Sequence, residues 1–212
     1  TARALGGYAD AIMVRTFAHE NAEILAEYAD VSVINGLTDD AHPCQTLADL
    51  LTIREEIGDL SAVQAAWVGD GNNVGRSFAV GAALAGLDLT VATPDGYGLG
   101  DDVYERCAEL GTEPTVADTP EEAVADADVV YTDVWVSMGE EDLRAEKLPD
   151  FEGYQVNEEL LDGTDAAFMH CLPAHRGEEV TDAVLESERS LVWAQAENRM
   201  HAQKGLLVEL LE

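Results

Sequence analysis

Residues 62–75 read AVQAAWVGDGNNVG, an apolar run that ends abruptly in glycine, aspartate and asparagine. The apolar run predicts a buried strand, and the glycines and asparagines predict a tight turn that opens a helix. This order of apolar run, polar turn and helical pattern recurs along the chain. Such repetition is typical of parallel sheets with helices on both faces. We therefore predict an α/β fold made of doubly wound parallel sheets.

Seven apolar runs are predicted strands, and three helices have recognisable starts. The strands are Ala11 to Phe17, Val31 to Leu37, Ala62 to Val68, Leu87 to Thr93, Asp128 to Val134, Ala166 to Cys171 and Ser190 to Trp193. A proline or a polar capping residue at its first position favours a helix start. On this basis we predict helices over His42 to Ile57, from Pro120 behind Thr119, and after Asn157.

A domain boundary is predicted directly after the helix that ends at Ile57, because Gly58 and Asp59 precede a new strand-turn-helix unit. Only two predicted strands precede it, whereas a sheet usually has about four to six. We expect residues 1–57, with the linking helix, to be the remainder of a first domain. Residues 58–195 are predicted to form a second domain. Residues 196–212 are predicted to be an amphipathic helix that packs back on the first domain.

The composition is strongly acidic, with 11 Lys and Arg against 43 Asp and Glu and a formal net charge of -32. Such a charge disfavours nucleic acid and anionic membranes as partners, and its self-repulsion predicts adaptation to molar salt. The sequence has neither a membrane-spanning apolar run nor a recognisable signal peptide, which predicts a cytoplasmic protein. Its three cysteines are widely spaced and predict neither a disulfide framework nor a metal site.

Polar residues follow several predicted strands, and ligands of parallel sheets bind at those carboxyl ends. Arg15 and Arg199 lie at two such ends and favour an anionic ligand. The glycine loop has Val74 where a dinucleotide fingerprint needs its third glycine, so a tight turn between strand and helix is favoured over a nicotinamide site. Taken alone, His42 fits a helix cap as well as an anion site, and Cys171 fits an inert buried thiol.

Five segments in their order resemble the ornithine carbamoyltransferases over essentially the whole chain. They are HPCQ at 42–45, GDGNN at 69–73, DVWVSMGEE at 133–141, HCLP at 170–173 and ENRMH at 197–201. The resemblance implies transfer of the carbamoyl group of carbamoyl phosphate to the side-chain amine of L-ornithine, giving L-citrulline and phosphate. It implies no metal and no organic cofactor.

The resemblance also implies a role for each matched residue. Carbamoyl phosphate would be held by Arg15, His42, Gln45, Cys171, Leu172 and Arg199, and ornithine by Asn73, Asp133, Ser137 and Met138. Among these, Cys171, His42 and Arg15 would act in catalysis.

One departure from the family concerns an upstream Ser-Thr-Arg-Thr segment that wraps the phosphate, which this sequence lacks. We therefore expect a C-terminal portion of the enzyme that is inactive alone, and a homotrimer or higher oligomer for the full-length enzyme. Three alternatives stay open. They are a sister enzyme acting on putrescine or aspartate, a ligand-binding fragment without turnover, and a nicotinamide-binding enzyme.

Overall fold

A computed structural model describes residues 1–137 and 139–212, with the side chain of Glu141 left out. The N-terminal part contains a small parallel sheet of two strands, β1 (Ala11–Arg15) and β2 (Ser32–Leu37). Helices α1 (Ala2–Gly6) and α2 (Glu20–Tyr28) accompany these strands. The long helix α3 (Pro43–Glu56) then leads to the second sheet.

The second sheet has five parallel strands, in the spatial order β5-β4-β3-β6-β7. They are β3 (Gln64–Val68), β4 (Asp88–Ala92), β5 (Thr115–Val116), β6 (Val129–Thr132) and β7 (Ala167–His170). The strand order reverses between β3 and β6. In sheets of this kind the crevice beyond the carboxyl ends of the strands at such a reversal is where ligands bind.

Helices cover both faces of this sheet. They are α4 (Asn73–Ala85), α5 (Asp101–Leu110), α6 (Pro120–Val124), α7 (Arg144–Lys147), α8 (Asp182–Leu185) and α9 (Val192–Leu211). Alternate strand residues enter two separate apolar clusters, so that Trp67 lies in one and Val68 in the other. In the first cluster the Tyr131 ring contacts those of Trp67 and Phe78, with centroids 4.9 and 5.0 Å away.

The structure confirms the α/β fold of parallel sheets and six of the seven predicted strands. The predicted strand from Ser190 to Trp193 is wrong, because only a single bridge joins Ser190 to Phe168 and α9 begins at Val192. The helix predicted after Asn157 is also wrong. The Asn157 side chain accepts a hydrogen bond from the Leu160 backbone, but the chain there forms turns.

Helix α9 begins earlier than predicted and packs against α3. The Asn198 amide donates to the Thr52 hydroxyl and the Glu55 carboxylate, both at 3.0 Å. This contact places the first half of α9 beside the last turns of α3. Within the described residues, no helix combines the length and the apolar character needed to cross a membrane.

Candidate active site

A cleft of about 1370 Å³ opens at the carboxyl ends of the strands of both sheets. Its walls include Arg15 at the end of β1 and Thr38 after β2 on one side, and Asp133 after β6 and Cys171 after β7 on the other. Gly71 forms part of the wall where the backbone turns between β3 and α4. A Cβ atom there would lie 2.5 Å from the carbonyl carbon of Gly98, so glycine is required at this turn.

The predicted capping turn at the start of α4 is confirmed. The Asn72 side-chain oxygen accepts hydrogen bonds from the backbone N-H groups of Val74 and Gly75. Its Nδ2 donates to Oδ2 of Asp133 at 2.8 Å. The same asparagine therefore caps a helix and orients a carboxylate of the cleft.

His42 caps α3 and is buried in the wall of the cleft, where its backbone N-H donates to the Ser77 hydroxyl at 2.7 Å. Burial, together with the charges of Arg199 and Arg15, lowers the pKa of His42 to about 4. The ring is therefore neutral at neutral pH. Its Nδ1 has no hydrogen-bond partner among the described residues, which leaves the nitrogen able to meet a ligand.

Two arginines, Arg15 and Arg199, bring positive charge to the same part of the cleft. The Arg199 guanidinium donates to Oε1 of Gln45 at 2.5 Å. Its Nε is buried and has no hydrogen-bond partner in the part of the chain that the structure describes. Arginine groups next to a neutral histidine suit a phosphate or another anion.

Gln45, in contrast, lies beneath the cleft wall and is buried. Its Nε2 donates to Oδ1 of Asp49 at 2.8 Å, while its Oε1 receives the bond from Arg199. Of the six residues predicted to hold carbamoyl phosphate, the structure brings five to the cleft wall and places Gln45 behind one of them. Direct contact of Gln45 with a ligand stays a prediction.

Asp133 and Cys171 meet on the opposite side of the cleft. The Cys171 thiol donates to Oδ1 of Asp133 at 3.0 Å. Burial, with the negative charge of Asp133, raises the pKa of this thiol well above its usual value. Cys171 is therefore a protonated hydrogen-bond donor at neutral pH and not a thiolate nucleophile.

Leu172 follows Cys171 with φ of +60°, a left-handed conformation that non-glycine residues seldom adopt. Its backbone N-H donates to Nδ1 of His170 at 2.9 Å, and Nε2 of the same ring lies 3.2 Å from Oε1 of Glu179. His170 and Glu179 are both fully buried. These contacts hold the backbone of Leu172 in place at the cleft.

The residues predicted to hold ornithine are partly described. The Asn73 amide donates to the backbone carbonyl of Thr38 at 2.6 Å, which joins the two sides of the cleft. The backbone N-H of Ser137 donates to Glu140 at 3.2 Å, and Ser137 lines the cleft. Met138 lies outside the described residues.

The sequence reasoning missed Lys147, which lines the cleft and is buried. Its amine donates to Asp70 at 2.7 Å and to Glu140 at 3.0 Å. The rarity of lysine, with only Lys147 and Lys204 in the chain, was the one signal that pointed to it.

Among the residues that the structure describes, two groups of side chains have possible metal-ligand atoms within 4.8 Å of one another. They are Asp133 with His170 and Cys171, and His175 with Glu178 and Glu179. Most of these groups already have protein partners: Cys171 donates to Asp133, His170 contacts Glu179, and Glu178 pairs with Arg144.

Two family models match consecutive parts of the chain. Residues 1–55 match the carbamoyl-P binding domain, and residues 61–210 match the Asp/Orn binding domain, of aspartate/ornithine carbamoyltransferase. The chain belongs to this family. The predicted resemblance is therefore confirmed.

Carbamoyltransferases from several organisms are similar to this chain. The ornithine carbamoyltransferase of Haloquadratum walsbyi is 66% identical over 211 residues, which cover 100% of this chain and 70% of that protein. The enzyme of Methanoculleus marisnigri is 52% identical, with 100% and 69% covered. The solved structure of ornithine carbamoyltransferase from Pyrococcus furiosus superposes with a TM-score of 0.93 at 50% identity, and covers 99% of this chain and 69% of that one.

Proposed function

We propose that the chain transfers the carbamoyl group of carbamoyl phosphate to the side-chain amine of L-ornithine, giving L-citrulline and phosphate. The observation that carries this proposal is the cleft itself. Arg15, Arg199 and a neutral His42 gather in one part of it, and Asp133 lies across from them beside Cys171. An anionic donor and a cationic amine therefore each meet groups of suitable charge.

The phosphate end of the donor is assigned to Arg15 and Arg199, whose guanidinium groups form paired hydrogen bonds with phosphate oxygens. The carbamoyl oxygen is assigned to His42, which can donate a hydrogen bond without adding a charge. Such donors stabilise the negative charge that develops on this oxygen during attack. Gln45 and the backbone of Leu172 complete the carbamoyl-binding set.

The α-amino and carboxylate groups of ornithine are assigned to Asp133 and Asn73, with Ser137 and Met138 for the rest of the substrate. The Asp133 carboxylate attracts the α-ammonium group of the substrate. The side-chain amine titrates near lysine, at about 10.4 in water, so it must lose a proton before it attacks. Exclusion of water from the cleft lowers the pKa of an amine and favours this loss.

The reaction then balances without a cofactor. The neutral amine nitrogen forms a bond to the carbamoyl carbon, and the bond from that carbon to the phosphate oxygen breaks. The phosphate leaves with the electron pair, and the proton from the amine is taken up by the departing phosphate. The Cys171 thiol, being protonated, donates a hydrogen bond beside the reacting atoms and forms no covalent intermediate.

The domain roles and the assembly are part of the same proposal. Residues 1–57 are assigned to carbamoyl phosphate and residues 58–195 to ornithine, with residues 196–212 packing back on the first domain. We expect a homotrimer or a higher oligomer in the cytoplasm, with small molecules and neither nucleic acid nor membrane as partners.

The test measures citrulline from carbamoyl phosphate and ornithine in molar KCl, with putrescine and aspartate as parallel acceptors. It uses this chain and a longer version that carries upstream residues to the length of the relatives. We expect product from the longer version only, and with ornithine as the acceptor but not with putrescine or aspartate. Product with another acceptor only, or none from either folded version, would refute the proposal.

A pair of variants locates the site. Arg199→Met removes a cleft arginine and is expected to lower kcat/KM by about 100- to 1000-fold, as removal of a charge-stabilising donor does. Arg106→Met removes an exposed arginine of α5 that pairs with Glu109, and changes the net charge equally. We expect its activity to stay within about twofold. Equal effects of the two changes would contradict the assigned site.

A further inference from the structure

Asp49 is fully buried on α3, and it does not line the cleft. Its Oδ1 accepts hydrogen bonds from Nε2 of Gln45 at 2.8 Å and Nε2 of Gln195 at 2.7 Å. Its Oδ2 accepts from the Tyr131 hydroxyl at 3.1 Å. Burying a carboxylate costs free energy unless it is hydrogen-bonded. The three donors around Asp49 therefore indicate that the fold is organised to hold this carboxylate.

Gln45 connects this carboxylate to the cleft. Its amide nitrogen faces Asp49 and its amide oxygen faces the Arg199 guanidinium. The reversed amide would bring its oxygen against a carboxylate and its N-H groups against a cation. The carboxylate therefore fixes the orientation in which Gln45 accepts the hydrogen bond from Arg199.

Gln195 forms the second connection. It lies one helical turn before Arg199 on α9, so both side chains leave the same face of the helix. While its Nε2 donates to Asp49, its Oε1 accepts from the backbone N-H of His170 at 3.0 Å. Asp49 therefore holds α9 directly through Gln195, and holds Arg199 through Gln45.

We propose that Asp49 is a positioning residue for carbamoyl phosphate, which sets the Arg199 guanidinium at the cleft through Gln45. The inference rests on the proposed function, because it assigns Arg199 to that substrate. Asp49 touches no substrate. Its effect is on where the arginine is held, and therefore on the affinity for carbamoyl phosphate more than on that for ornithine.

The test is the isosteric change Asp49→Asn, which keeps one acceptor oxygen and turns the other into a donor that faces hydrogen-bond donors. We expect the KM for carbamoyl phosphate to rise roughly ten- to a hundredfold, as loss of a hydrogen bond involving a charged group does, with the KM for ornithine within about twofold. Tyr131→Phe is the matched control, because it removes one donor to Asp49 and leaves Oδ1 and Gln45 untouched.

A double-variant cycle separates positioning from stability. If Asp49 acts through the arginine, Asp49→Asn has little further effect on the KM for carbamoyl phosphate when Arg199 is already Met. Additive effects, or equal rises in KM for Asp49→Asn and Tyr131→Phe, would overturn the inference. If Asp49→Asn does not fold, Asp49→Ser is used instead, because the shorter serine side chain does not reach the Gln45 amide as the aspartate does. The same rise in the KM for carbamoyl phosphate is expected.

The two proposals fail in different ways. If Arg199→Met leaves the KM for carbamoyl phosphate unchanged, the site assigned to this substrate is wrong. If Arg199→Met raises that KM and Asp49→Asn does not, the site stands and only the role of Asp49 is refuted.

Discussion

Lys147→Met removes the buried amine of the cleft wall. The variant tests how much this amine stabilises the fold by pairing with the buried Asp70 carboxylate. The Lys147 and Asp70 side chains are each only 9% exposed and lie 2.7 Å apart. Burial acts to lower the pKa of Lys147, but the hydrogen bond and charge of Asp70, with those of Glu140, raise it above its usual value. The pair is therefore ionised at neutral pH, and the amine is its charged partner.

The expected loss follows from these contacts. Breaking a buried ion pair on one side costs about 3–5 kcal/mol, because the remaining charge stays buried without a partner. The contact with Glu140, whose side chain is 40% exposed, adds about 0–1 kcal/mol. The summed loss is about 3–6 kcal/mol, and for a protein of this size each kcal/mol lowers Tm by about 2–4 °C, so Tm is expected to fall by roughly 6–24 °C.

Thermal unfolding in molar KCl near neutral pH measures this loss. Lys204→Met is the matched control, because it removes the other lysine from an exposed position on α9, and we expect a change within about 0.5 kcal/mol. The double variant with Asp70→Asn removes both charges and is expected to recover most of the lost stability. A single variant as stable as the control, or a double variant no better than the single one, would refute the reasoning.

Three further outcomes are expected. The net charge of -32 implies that the unfolding midpoint rises between dilute buffer and molar KCl, which a thermal scan at several salt concentrations measures. Burial raises the pKa of Asp49 from 3.8 to about 7, so the folded chain holds a proton that the unfolded chain has lost, and the unfolding free energy falls as pH rises through this range. In Asp49→Asn this fall, measured by denaturant unfolding at several pH values, is expected to be smaller by about 4 kcal/mol. The raised pKa of Cys171 predicts slower alkylation of this thiol in the folded chain than after unfolding, with a rate that still increases above pH 9.

Four strands of the large sheet were predictable because strands buried on both faces consist of consecutive apolar residues. The exception, β5, has two exposed residues at the sheet edge and leaves no apolar run to find. The predicted strand at Ser190 failed because its apolar residues begin a helix that packs on α3. A short apolar run such as the one that contains Val192 fits a buried strand and the start of a buried helix equally well.

The cleft was predictable where its residues follow strand ends, as Arg15, Asp133 and Cys171 do. Lys147 and Asp49 were not, because the contacts that bury them are mainly with distant residues: Asp70 is 77 residues from Lys147, and Tyr131 is 82 residues from Asp49. Gln45 and Glu140 are near them in sequence, but neither indicates that the fold buries the residue.

The contact between Gln45 and Arg199 joins groups 154 residues apart in sequence. Contacts of this separation are slow to form, because the entropy of closing so long a loop is lost before the contact contributes. The five-stranded sheet, in contrast, closes over shorter spans and has its own apolar clusters. Partial unfolding that detaches α9 from α3 therefore removes Arg199 from the cleft and abolishes carbamoyl phosphate binding while the sheet stays folded. We therefore expect activity to be lost at a lower denaturant concentration than the fold of the sheet.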